Sequence, residues 1–111
     1  MTACPSGWRL PTREDWNDLV EAAGGNPGAS TKLKSGPPDW DGTDDFGFSA
    51  LPGGARRLDG SFTHAGIGGG WWSATEDWSG YARSLDMYSN SDYANRGIYD
   101  KGFGLSVLCV R

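Results

Sequence analysis

Glycine supplies 18 of the 111 residues, and this limits the fold more than any other feature. A glycine in a helix interior costs about 1 kcal/mol relative to alanine, so a bundle of long helices is excluded. Only 37% of the residues are apolar, which leaves few side chains to build a core. Its volume must come from six Trp, four Tyr and four Phe, each able to bury about 150–250 Å². The same rings argue against disorder, because chains that fail to fold are poor in aromatics. At this length one domain over residues 1–111 is expected, cut from the C-terminal part of a longer protein with Met1 added.

The charge pattern excludes several partners. Ten basic residues are scattered among fourteen acidic ones, for a net charge of -4. Phosphate backbones and anionic membrane surfaces both select clustered Lys and Arg, so neither nucleic acid nor a membrane surface is expected as a partner. No run approaches the ~20 apolar residues of a membrane span. The start, Met1-Thr2-Ala3-Cys4, lacks the charged-then-apolar order of a secretory signal.

Cys4 and Cys109 are the only cysteines, and their spacing matches no zinc pattern. Two readings stay open. They form a bridge in an oxidising compartment, closing roughly 100 residues, or they remain unpaired as small core residues.

Local patterning gives one clear helix. Thr12 is the expected N-cap and Asp15 completes a capping box. Trp16, Leu19, Val20 and Ala23 fall on one face, and Gly24-Gly25 ends the element. Residues 26–46 carry Pro27, Pro37 and Pro38 and read as irregular loop, tied to the core by Leu33, Trp40 and Phe46. Short strands are expected at 48–51, 61–63, 71–75, 82–88 and 103–110. Leu85 and Met87 share one face, and Leu105, Val107 and Cys109 another. Trp8, Trp16 and one of the adjacent pair Trp71 and Trp72 are expected in the core.

The inventory for catalysis is thin, and no enzyme is expected. His64 is the only histidine and reads as a surface loop residue. There is no nucleophile elbow, zinc-protease motif or phosphate loop, and Gly66-Ile67-Gly68-Gly69-Gly70 reads as a flexible turn. Asp39, Asp41, Asp44 and Asp45 cluster, but position 12 counted from Asp39 is Ala50, so the EF-hand glutamate is missing. These aspartates are expected to cap turns; neither a metal nor a cofactor is expected.

Residues 78–100 have the mixture found in selected binding surfaces. Trp78, Tyr81, Tyr88, Tyr93 and Tyr99 are interleaved with Ser, Asn, Asp, Arg and Gly, pairing rigid contact area with adaptable hydrogen bonds. The competing reading is a tyrosine-rich sheet whose outward residues meet only water.

Several motifs carry a family resemblance. Cys4-Pro5-Ser6-Gly7-Trp8-Arg9-Leu10-Pro11-Thr12, Lys32-Leu33-Lys34-Ser35, Gly42-Thr43-Asp44-Asp45-Phe46-Gly47-Phe48-Ser49-Ala50-Leu51-Pro52-Gly53-Gly54, Trp71-Trp72-Ser73-Ala74-Thr75-Glu76 and Gly104-Leu105-Ser106-Val107-Leu108-Cys109-Val110-Arg111 together resemble the Fibrobacter succinogenes major paralogous domain. The resemblance implies an α+β, C-type lectin-like fold with adjacent ends, one or two helices, small antiparallel sheets and long irregular loops. It places Cys4 beside Cys109 and the protein outside the cell or on its surface. Leu108, Arg83 and Ser84 depart from the family pattern.

Some C-type lectin-like domains similar to this one are variable proteins of diversity-generating retroelements. That likeness implies a C-terminal variable surface made by Trp78, Tyr81, Arg83, Asp86, Tyr88, Asn90, Asp92, Tyr93, Asn95, Arg96 and Tyr99. The expected partner is a protein on another cell or phage, with a glycan as the alternative. Trp16-Asn17-Asp18 spells a tripeptide of sugar-binding lectins but sits on the expected helix, so it is read as coincidence. The rival functions are a structural or carbohydrate-adhering surface module and an enzyme related to formylglycine-generating enzymes, whose chemistry needs reactive cysteines.

Overall fold

The computed structural model describes residues 4–78 and 80–111. The order is α1 (Arg13–Ala22), α2 (Ala29–Leu33), β1 (Ala55–Arg56), β2 (Phe62–Thr63), β3 (Gly68–Trp78), β4 (Tyr81–Tyr88) and β5 (Asn95–Asp100). Strands β1 and β2 form a two-stranded antiparallel sheet, and β3-β4-β5 a three-stranded antiparallel one. Two helices, two small sheets and long loops make this an α+β architecture, as expected.

Helix α1 begins where its capping residues dictate. Thr12 Oγ1 accepts the Asp15 backbone N–H at 3.2 Å, and Asp15 Oδ2 accepts the Thr12 N–H at 2.9 Å. Both orphan donors are thereby satisfied. Arg9 donates to the same carboxylate at 2.6 Å. That hydrogen bond, with the one from Thr12, lowers the pKa of the half-buried Asp15 carboxyl to about 2. The helix lies on the sheet: the Arg13 N–H donates to Thr75 Oγ1 at 2.8 Å and the Ala74 N–H to the Pro11 carbonyl at 2.8 Å.

The core sits between α1, α2 and one face of the larger sheet. Trp16, Val20, Leu33, Trp40, Trp71, Leu85 and Met87 are buried there, with Phe48 packed against them. Phe48 meets Trp16 and Trp71 edge-on, at centroid separations of 6.3 and 6.4 Å, the geometry aromatic quadrupoles favour. Trp71 and Trp72 divide as adjacent strand residues must, one inward and one half-buried on the opposite face.

Cys4 and Cys109 are joined by a disulfide with their Cα atoms 5.9 Å apart. Beside it Arg9 and Val110 exchange both backbone hydrogen bonds at 2.7 Å, so two independent clasps hold the chain ends together.

Several expectations need correction. Trp8 is 41% exposed; its ring is covered by the Arg111 guanidinium, 4.6 Å from the centroid, and not by the core. Phe46 is 56% exposed, and Phe48 takes the tying role instead. Residues 26–46 include a helix, α2. No strand forms at 48–51, because Ser49 adopts φ 58 and leaves Ala50 only a single bridge to Lys34. Gly68, Gly69 and Gly70 belong to β3, where they pair with Tyr88, Met87 and Asp86. Residues 103–110 switch partner twice, bridging Arg56, Trp71 and Arg9 in turn. They form a strap over the sheet, with Leu108 inward and Val107 exposed. Strand β5 was not expected at all.

Candidate binding site

Alternation along the strands divides the sheet into two chemically distinct faces. Trp71, Leu85 and Met87 face the core. The other face of β4 carries Ser84, Asp86 and Tyr88, and register places Gly97 opposite Ser84 and Asn95 opposite Asp86. Trp72 and Tyr99 meet edge-on there at 6.5 Å, and Tyr99 packs on Phe103 at 5.3 Å. The strap and the loops flanking β2 roof this face, enclosing a cavity of about 120 Å³ lined by His64, Gly70, Asp86, Tyr88, Tyr99 and Phe103, among others.

Asp86 is 6% exposed and accepts a hydrogen bond from Ser84 Oγ at 3.0 Å. Loss of water around the carboxylate raises its pKa to about 6, although the Ser84 hydroxyl opposes the shift. Burial also raises the Tyr99 phenol, reinforced by its hydrogen bond with Tyr88 and by the Asp86 charge. Burial thus shifts both groups toward their neutral forms, yet a carboxyl titrating near 6 is still mostly ionised above pH 7.

The second cluster is the β4–β5 connection, residues 89–94. Its backbone is clamped by side chains from residues 26–46, the stretch read as irregular loop. Asn26 grips Ala94 twice, donating to its carbonyl and accepting its N–H, each at 2.9 Å. Buried Lys34 donates to the carbonyls of Tyr88 and Ser91, lies 3.3 Å from Asp41 Oδ1, and sits 5.0 Å above the Trp40 ring. Trp40 Nε1 donates to Ser89 Oγ at 2.9 Å, Asp41 accepts the Asn90 N–H at 3.2 Å, and Thr31 Oγ1 donates to Asp92 Oδ1 at 2.6 Å. Asp44 caps a turn as expected, accepting the Ser49 N–H at 2.7 Å.

The eleven residues read as one surface thus occupy different places. Asn90, Asp92, Tyr93, Asn95 and Arg96 are exposed on the clamped loop and the start of β5, Tyr93 by 50%. Asp86, Tyr88 and Tyr99 line the cavity. Tyr81 is exposed at the start of β4. Arg83 is half-buried, its guanidinium committed to Asp77 by two contacts of 2.9 and 2.7 Å. Trp78 is in β3, but its side chain lies outside the described residues. Asn26, Lys34 and Trp40, which position the loop, were missed as site residues; the one sequence signal was a lysine beside the core residue Leu33. Among the described residues no three His, Cys, Asp or Glu side chains come together to hold a metal ion, and no helix is long and apolar enough to cross a membrane.

These features define a small α+β domain closed at its ends by a disulfide and presenting a braced hairpin. The chain belongs to the Fibrobacter succinogenes major domain family, whose model matches residues 1–111. No curated protein and no solved structure matches it.

Proposed function

We propose that this domain is a non-enzymatic, C-type lectin-like recognition module of a bacterial surface or secreted protein, whose contact surface is the β4–β5 hairpin. One observation carries the reading. The backbone of residues 89–94 is held by Asn26, Lys34 and Asp41, while the side chains of Asn90, Tyr93 and Asn95 project into solvent and exposed Arg96 returns one hydrogen bond, at 3.2 Å, to the Ala94 carbonyl that Asn26 already holds. Shape is fixed by residues outside the segment, so the exposed positions are free to differ. This is the arrangement a variable protein of a diversity-generating retroelement requires, with a protein on another cell or phage as the partner. Tyr93 supplies the rigid anchor and Asn95 and Arg96 the directional hydrogen bonds. The bridged cysteines speak against formylglycine-type chemistry, which needs them reactive.

The test is a display library randomised at Tyr93, Asn95 and Arg96. Most members fold, with unfolding free energies within about 1 kcal/mol of the parent, and selection against purified surface proteins and phage particles yields binders. General loss of folding in the library overturns the proposal. Sequencing the locus tests the retroelement separately: a neighbouring reverse transcriptase with an imperfect copy of codons 78–100 supports it, and absence of both removes it.

A further inference from the structure

We infer that the cavity between the β3-β4-β5 sheet and the C-terminal strap is a binding site for a primary alkylammonium group, held by the Asp86 carboxylate against the rings of Tyr88, Tyr99 and Phe103. This inference does not depend on the recognition surface proposed above, because it concerns the roofed sheet face and not the exposed loop.

Four observations converge on it. Asp86 is almost completely buried, yet among the described residues no basic side chain forms an ion pair with it, and its one described hydrogen-bond donor is the Ser84 hydroxyl. A carboxylate can accept about four hydrogen bonds, so most of its capacity is unused, and burying it unpaired costs stability. The cavity is kept open beside it by glycines: a Cβ at Gly70 would stand 3.0 Å from Asp86 Oδ1, and one at Gly68 would press into the Tyr88 ring. The rings of Tyr88, Tyr99 and Phe103 form part of its wall, in which Arg57 is the one permanent cation, and ring faces attract cations. Finally, about 120 Å³ admits an ammonium with a short alkyl stem. A primary ammonium fits better than a quaternary one, since only N–H groups can fill the vacant lone pairs of Asp86.

The same group could arrive as a free small amine or as the tip of a partner's lysine, and the test separates them. ¹H–¹⁵N spectra of the intact domain are followed at the Gly70 and Gly97 amides during titration with n-butylammonium chloride, with n-butanol as the neutral counterpart. At pH 7.5 the ammonium produces saturable shifts at both amides and the alcohol does not. At pH 5 its apparent Kd is about tenfold weaker, the factor expected when a carboxylate titrating near 6 is mostly protonated. The other ionisable groups lining the cavity are His64, Arg57, Tyr88 and Tyr99. Of these only His64 belongs to a residue type that changes charge in this interval, so His64→Gln must keep the tenfold effect. Asp86→Asn abolishes the shifts; should that variant not fold, the wild-type arms still decide. Equal response to the alcohol, a pH-independent Kd, or loss of the pH effect in His64→Gln each overturns the inference. Saturation by Nα-acetyl-lysine N-methylamide at the same concentrations assigns the group to a partner's lysine, and markedly weaker binding assigns it to a free amine.

Discussion

Gly97 on β5 and Asp86 on β4 approach so closely that a Cβ at Gly97 would overlap Oδ2 of the carboxylate and stand 2.9 Å from Ser84 Oγ. The strand position that looks least suited to a sheet is therefore the one that lets the acid lie flat between its neighbours. Gly97→Ala is expected to destabilise the fold by about 1–3 kcal/mol, the usual range for overpacking. In an Asp86→Ala background the same substitution costs clearly less, and a double-mutant cycle in urea measures the coupling.

Stability should also depend on pH through Asp86. Its folded pKa, about 6, lies above the ordinary carboxylate value, so the native state binds the proton more tightly than the unfolded chain. The sign follows from linkage: this contribution favours folding at pH 4 and fades as pH rises to about 6, a change on the order of 3 kcal/mol. Asp86→Asn removes this slope and unfolds at higher urea than the parent at pH 7. Chemical denaturation between pH 4 and 7 checks both. The half-buried Asp15 acts in the opposite sense, its depressed pKa contributing stability above about pH 4 that declines toward pH 2.

Replacing Lys34 should loosen the hairpin before it unfolds the domain. Lys34→Met keeps the buried stem but strips donors from the carbonyls of Tyr88 and Ser91 and a partner from Asp41. The two carbonyls are part-buried, so each bond lost should cost about 1 kcal/mol, the low end for an unpaired acceptor. Amide exchange of residues 89–94 should accelerate more than that of β3.

The terminal bridge should contribute measurably. Cys4 and Cys109 are separated by 105 residues, and on the chain-entropy model a loop of that order is worth about 4.7 kcal/mol, with typical measured values of 2–4. Replacing both with serine should lower the urea midpoint accordingly. The Arg9–Val110 pairing should keep the ends near one another in the native state.

Trp16 and Trp8 make a paired test of the core. Trp16→Ala should cost about 3–5 kcal/mol, whereas Trp8→Ala, exposed beneath Arg111, should cost under about 1 kcal/mol. Thermal or urea unfolding of the two variants distinguishes them.

Where local chemistry decides structure, it was readable. The box at Thr12 and Asp15, the stripe from Trp16 to Ala23 and the split of Trp71 from Trp72 need only near neighbours. What failed depends on distant ones. Gly68, Gly70 and Gly97 have poor strand propensity, and their place in the sheet answers to distant side chains: Tyr88 at Gly68, and Asp86 at Gly70 and Gly97, stand where a Cβ would go. Trp8 resembles a core residue until Arg111, at the far end of the chain, covers it. Of the candidate site, composition singled out Asn90, Asp92, Tyr93, Asn95 and Arg96, and all five are exposed. The cavity was not legible, because nothing in the order of residues reveals that Asp86 faces inward while Asn95, opposite it, remains exposed.

The clasp formed by Cys4–Cys109 and Arg9–Val110 makes entry and exit of the polypeptide nearly coincident. A unit built this way can be spliced into a surface turn of a host protein without prising the flanking segments apart. It would then stand off the host like a bead on a stalk, its orientation governed by that single point of attachment.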